Sequence, residues 1–124
     1  MTAKVIDVLT DEETAEYQAK ADGLKSKYNA AAVHPIVMIN PDTKERVVAY
    51  LREPSYLQKI FAMDKIAQVG PFVAGDELRS ALTIQEESDL LTYGESSECD
   101  PYKLGCTTYC VTLINGLQNA FKKK

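Results

Sequence analysis

The chain has 124 residues, of which 45% are hydrophobic and 26% are charged, and its formal net charge is -4. This length suits a single domain and the composition is that of an ordinary globular protein, which argues against disordered, collagen-like and coiled-coil classes. A nucleic-acid-binding protein usually presents a basic face and a membrane span needs about 20 apolar residues in a row, so neither a nucleic-acid nor a membrane partner is expected.

The N-terminal part of the chain predicts one helix. Residues 5–9 form a short apolar patch, interpreted as a strand or an extended lead-in. Thr10 and Glu13 then fit a capping box, which predicts a helix over residues 11–28. Its apolar line is thin, so this helix is expected to lie at the periphery or to await a partner. The line consists of Tyr17, Ala21, Leu24 and Tyr28.

The next segment predicts a β-hairpin. Residues 33–39 and 46–51 are both rich in β-branched and apolar side chains, and a turn that begins at Asn40 and Pro41 separates them. Pro35 cannot donate a backbone hydrogen bond, so it favours an edge position or a strand start. Because an isolated hairpin is only marginally stable in water, these strands must pack on helices or gain further strands.

A helix is predicted directly after the second strand. Pro54 suits a first-turn position, Ser55 and Gln58 fit a second capping box, and Gly70 ends the helix. Its apolar residues are expected to form one buried side. They are Leu57, Ile60, Phe61, Met63, Ile66 and Ala67.

Two more helices are expected towards the C-terminus. The first covers residues 72–84, or begins at Asp76 if Gly75 forms a turn, and the second covers residues 101–121 after a cap at Asp100. Between them, residues 85–99 have no helical or strand period and are predicted to be a mostly exposed loop.

The predicted fold class is therefore α+β, with an N-terminal helix, a β-hairpin and then a three-helix C-terminal portion. We expect one domain over residues 1–124. It would consist of an N-terminal helical arm (1–32), the hairpin (33–52) and a helical part (53–121).

The cysteines have a structural and a metal-binding interpretation. Cys106 and Cys110 share one face of the last predicted helix, where they fit its apolar stripe as small core residues. With Cys99 they could instead ligate a metal, but a structural zinc site usually needs two ligand pairs. The odd number of cysteines favours a reducing compartment.

Catalytic motifs are missing from the sequence. His34 is the single histidine, and as a general base it would need a nucleophile and an orienting carboxylate. Nucleophile-elbow, zincin and phosphate-loop patterns do not occur. We therefore expect a non-enzymatic protein with no catalytic, cofactor or metal site.

Charge is distributed unevenly along the chain. Residues 71–100 contain eight acidic and one basic residue, whereas residues 101–124 contain four basic and no acidic residues. Such asymmetry either steers self-association or reflects two solvated faces.

Several short motifs resemble those of one phage family. They are RVVAYL at residues 46–51, the turn Arg52-Glu53-Pro54-Ser55, MDK at residues 63–65 and IQEESD at residues 84–89. Over about residues 33–121 the chain resembles the tail assembly chaperones of long-tailed bacteriophages.

This resemblance implies a protein of the host cytoplasm that forms homo-oligomers and coats the tape measure protein, or another phage structural protein, during tail assembly. The alternative is a permanent virion component, such as a capsid accessory or head–tail connector protein. We predict partner-binding residues at the strand–helix junction and in the acidic loop. They are Arg52, Glu53, Tyr56, Glu86, Glu87 and Asp89.

Overall fold

The computed structural model describes residues 9–122, with side chains described as far as residue 116. A helix, an antiparallel hairpin and three further helices follow one another, which confirms the predicted α+β class and element order. The predicted apolar patch at residues 5–9 lies outside the described residues except for Leu9, and so do the last two lysines. The elements are α1 (Asp11–Lys27), β1 (Val33–Ile39), β2 (Arg46–Arg52), α2 (Tyr56–Val69), α3 (Pro71–Leu82) and α4 (Asp100–Lys122).

Helix α1 covers one face of the hairpin. The predicted capping box is confirmed, because the Glu13 backbone N–H donates to the Thr10 hydroxyl and the Thr10 N–H donates to the Glu13 carboxylate, both at 3.0 Å. The buried side chains of Ala21 and Leu24 pack with Val33 and Tyr50 of the hairpin. The thin apolar line of α1 thus finds its partner within the same chain.

The hairpin has the predicted turn and a regular register. Val33 lies opposite Arg52, and Ile39 lies opposite Arg46. The Asn40 side chain accepts hydrogen bonds from the backbone of the next turn residues, and Lys44 completes the turn with a φ of 65°. Because side chains alternate along a strand, the hairpin has two apolar faces, one for α1 and one for the other helices.

The second face of the hairpin carries the main core. Gly75 lies inside α3, where a Cβ atom would come within 2.7 Å of Val111 Cγ2 on α4, so α3 and α4 approach closely at this point. The alternative start of α3 at Asp76 is therefore wrong. The buried core residues are Ala49, Leu51, Ala62, Ala74, Leu78, Leu82, Cys106, Cys110 and Ile114.

Helix α2 differs from its sequence-based description at two points. Ser55 is the N-cap with both capping-box bonds, so Pro54 precedes the cap and is not in the first turn. Four of the residues predicted to be buried are exposed, whereas Ala62 is buried. The exposed four are Leu57, Ile60, Phe61 and Ala67. The spacing of apolar residues allows either side of α2 to face the core, and the small side chain of Ala62 permits the closer approach.

The segment after α3 closes the outer edge of β2. The backbone N–H groups of Ile84 and Asp89 donate to the carbonyls of Tyr50 and Val48, at 2.8 and 2.9 Å. In return the strand N–H groups donate to the side chains of Ser88 and Asp89, at 2.9 and 2.7 Å. Gln85, Glu86 and Asp89 are exposed, as predicted for this loop, but the sequence did not predict that its backbone pairs with β2.

The rest of that segment folds into three short 3-10 helices, which span Gln85–Glu87, Leu90–Thr92 and Ser97–Cys99. Thr92 and Cys99 are buried. Across residues 9–122, no helix combines the length and apolarity needed to cross a membrane.

Candidate functional site

One side of α2 presents large apolar side chains to solvent. Tyr56 is 79% exposed, Leu57 57% and Phe61 62%, and Ile60 lies beside them. We call these four residues the α2 face. Contiguous exposed apolar patches of this kind often mark protein-interaction sites, whereas single exposed apolar residues do not.

A small apolar cavity lies next to the α2 face, between α2 and α3. Its volume is about 170 Å³, and Phe61 stands at its border. Its walls are mostly short or apolar side chains, which leave room for an incoming group. The lining residues are Gln58, Phe61, Ala62, Ala74, Glu77, Leu78 and Ala81.

A second apolar surface lies between α3 and α4. Phe72, Val73 and Leu104 are each half exposed or more. They line a groove of about 440 Å³ together with Thr107, and charged groups form its rim. We call it the α3–α4 groove, and its rim consists of Asp76, Asp100 and Lys103.

His34 lies in a hydrogen-bonded network that sequence reasoning did not find. Its Nε2 is 2.6 Å from Glu53 Oε1, and its Nδ1 is 3.0 Å from the Tyr109 hydroxyl. Lys59 Nζ lies 3.4 Å from the other carboxylate oxygen of Glu53. Burial raises the pKa of Tyr109, and the nearby Glu53 charge adds to this, so the hydroxyl keeps its proton.

This network has the order hydroxyl, imidazole, carboxylate, which also occurs around activated nucleophiles. The nucleophile in that arrangement would be the Tyr109 hydroxyl, which is only partly exposed and whose pKa is raised by burial. What the network does accomplish is to tie β1 to the junction before α2 and to α4. His34 and Tyr109 are 75 positions apart in the sequence, so no local signal indicates this contact.

The predicted junction residues have different environments. Arg52 donates from Nη2 to the carbonyl of Ala81 at 2.8 Å, which joins β2 to the end of α3. Glu53 contacts His34 with one carboxylate oxygen and Lys59 with the other. Tyr56 alone projects into solvent, as part of the α2 face.

The predicted acidic residues also have different environments. Glu86 is exposed. Glu87 lies 2.9 Å from the Lys27 ammonium and 3.5 Å from that of Lys20, and the Lys27 contact holds the pKa of this carboxyl below its usual range. Asp89 accepts from the backbone of β2. Glu87 and Asp89 therefore have structural contacts, and partner binding by these residues stays a prediction.

The two helical cysteines belong to the core. Burial raises the pKa of Cys106 to about 11 and that of Cys110 to about 12. Metal binding needs thiolates, which such pKa values disfavour. In the part of the chain that the structure describes, histidine, cysteine and carboxylate groups do not gather in threes around a metal-sized space.

The α2 face with its cavity and the α3–α4 groove are therefore the candidate functional site. Both surfaces are formed by helices that pack on the hairpin, so the hydrophobic core fixes their geometry. No protein-family model, curated protein or solved structure matches this chain.

Proposed function

We propose that this protein is a non-enzymatic phage tail assembly chaperone, which self-associates and holds apolar helical segments of the tape measure protein. The observation that carries the proposal is the exposure of large apolar side chains on all three helices of one layer. Single exposed apolar residues are ordinary on a protein surface, but these side chains are grouped into patches, which favours a binding role.

The α3–α4 groove suits the client. Two helices form its walls, and an amphipathic helix laid in such a groove would place apolar side chains on Phe72, Val73 and Leu104. Fully burying one such side chain contributes about 1.5–3 kcal/mol, so three half-exposed residues contribute roughly 3 kcal/mol in all. One groove therefore binds weakly, and many copies along a long client would bind through multivalency.

The step from a binding protein to a tail chaperone is supported by the sequence motifs of residues 46–55, 63–65 and 84–89. Reversible, weak contacts also suit a protein that must leave its client when the tail polymerises around it. A permanent virion component would instead need large and stable interfaces.

Co-expression with a tape measure protein from the same genome tests the proposal. We expect the wild-type chain to keep the tape measure protein soluble and to co-purify with it. Phe72→Asp should abolish this effect, whereas Ser80→Asp, at an exposed polar position of α3, should not. An insoluble client in the presence of the wild-type chain contradicts the proposal. Stoichiometric amounts of the chain in purified particles would favour the virion component.

A further inference from the structure

The α2 face and the cavity beside it complement each other in shape. Phe61 offers a phenyl ring that is 62% exposed, and the cavity between α2 and α3 has a volume of about 170 Å³. An apolar cavity of about 150 Å³ accommodates a benzene molecule. The same surface therefore presents a phenyl ring and a cavity large enough to accommodate one.

We infer that two copies of this chain associate through their α2 faces about a two-fold axis, with Phe61 of each copy seated in the α2–α3 cavity of the other. The inference deepens the proposed function, on which it rests, by assigning self-association to one surface. It leaves the α3–α4 groove of both copies open for the client.

Symmetry supports a second copy as the occupant. In a two-fold interface the same patch serves both partners, so a protruding group and its receptor must lie side by side on that patch. Phe61 satisfies this condition because it borders the very cavity that would receive its counterpart. Lys65 Nζ lies 3.1 Å from Glu77 Oε2, so these two charged groups beside the cavity would enter the interface as an ion pair.

The area of the patch is small for a stable dimer. An aromatic side chain has about 150–250 Å² to bury, so Tyr56 and Phe61 offer roughly 100–200 Å² each at their observed exposure. With Leu57 and Ile60, each copy offers on the order of 400–500 Å², against about 800 Å² per partner in a standard stable interface. The dimer should therefore be weak and reversible, as the disassembly of a chaperone complex requires.

Sedimentation velocity from micromolar to near-millimolar protein tests the inference. We expect the wild-type chain to dimerise reversibly and Phe61→Asp to weaken dimerisation by about a hundredfold, because two phenyl contacts are lost and each is worth about tenfold. Phe72→Asp is the matched control, since Phe72 is similarly exposed at 55% but lies in the other groove. It should dimerise like the wild type.

A second variant tests whether dimerisation depends on the shape of the contact or only on the amount of exposed apolar surface. Ala81→Phe adds apolar surface at an exposed position but fills the cavity, so it should weaken dimerisation although the surface becomes more apolar. Thermal unfolding of each variant at low concentration shows whether the fold is intact.

A monomeric wild-type chain over the whole range overturns the inference, as does normal dimerisation of Phe61→Asp or Ala81→Phe. Loss of dimerisation in Phe72→Asp alone would place the contact on the other groove and also overturns it. Client solubilisation is measured separately, with Phe72→Asp as its sensitive variant. Failure of the inference and failure of the proposed function therefore give different results.

Discussion

The imidazole of His34 lies 2.6 Å from the carboxylate of Glu53, and its other ring nitrogen lies 3.0 Å from the hydroxyl of Tyr109. An ionised carboxylate only accepts hydrogen bonds, so Nε2 carries the proton towards Glu53 in the neutral ring. Nδ1 is then an acceptor, and the Tyr109 hydroxyl donates to it. The network joins the first strand to α4, which closes the helical layer over the hairpin.

Removing the Tyr109 hydroxyl tests the structural value of this network. We expect Tyr109→Phe to lower the free energy of unfolding by about 1 kcal/mol, because one partly buried hydrogen bond is lost and Nδ1 is left to water. Urea denaturation measures the change. Tyr56→Phe is the control, since the Tyr56 hydroxyl is on a side chain that is mostly exposed. Equal stability of the two variants would show that the network contributes nothing.

The close contact of α3 with α4 gives a second prediction. Gly75→Ala should lower the free energy of unfolding by about 1–3 kcal/mol, because the new Cβ would lie 2.7 Å from Val111 Cγ2 and 3.1 Å from the Thr107 carbonyl oxygen. Gly23→Ala in α1 is the matched control. Nothing lies within 4 Å of that site, so alanine should stabilise the helix by about 0.5–1 kcal/mol.

Opposite signs in urea denaturation would confirm the packing argument. Stabilisation by both substitutions would mean that α4 can move away from α3 at little cost, and the tight contact at Gly75 would then have no energetic role.

Local signals explain which parts of the fold could be predicted. The capping boxes at Thr10 and Ser55 and the turn at Asn40 depend on residues two to five positions apart, so the sequence displays them directly. The start of α3 has no such local signal, because Gly75 is compatible with both a turn and a helix. Only the contact with α4 distinguishes the two, and that contact is not local.

The candidate site could be predicted only in part, for the same reason. Apolar residues occur on more than one side of α2, so their period does not show that Phe61 is exposed and Ala62 buried. For two acidic residues the difference is the reverse, because the sequence gives no sign of the contacts that they make within the fold. Glu87 pairs with Lys27 of α1, 60 residues away, and Asp89, although exposed, accepts from the backbone of β2, 41 residues away.

The contacts of α1 with the rest of the fold predict acid sensitivity. The Arg46 guanidinium holds the pKa of Glu13 below its usual value of 4.5, and the Lys27 ammonium does the same for Glu87. A carboxyl whose pKa is lower in the folded state binds its proton less readily there than in the unfolded chain. The stability it contributes is present above about pH 4.5 and is lost as the pH falls through the lowered pKa.

We therefore expect the urea midpoint to fall as the pH drops below 4.5, and to fall less steeply in Glu13→Gln than in the wild type. Glu12→Gln, which removes an exposed carboxylate one position away, is the control and should keep the wild-type slope. If Glu13→Gln and the wild type have the same pH dependence, the ion pair with Arg46 does not contribute to stability in solution.

Charge reversal in the acidic segment should separate structural from solvent-exposed carboxylates. Glu87→Lys removes two ion pairs and places an ammonium group beside Lys20 and Lys27, so its thermal midpoint should fall clearly below that of the wild type. Glu86→Lys, at the adjacent exposed position, should melt like the wild type. If Glu86→Lys weakens client or self-association without loss of stability, Glu86 is a partner contact. Equal melting of the two variants would contradict the assigned role of Glu87.

The core position of the cysteines on α4 predicts their reactivity. With pKa values of about 11 and 12, Cys106 and Cys110 have about one thiolate per thousand molecules or fewer at pH 8. Both are also fully buried, so iodoacetamide should modify them slowly in the native protein and rapidly in urea, as measured by mass spectrometry of the α4 peptides. Native modification at the rate of the denatured chain would mean that α4 leaves the core often. That behaviour would also remove the support on which the α3–α4 groove depends.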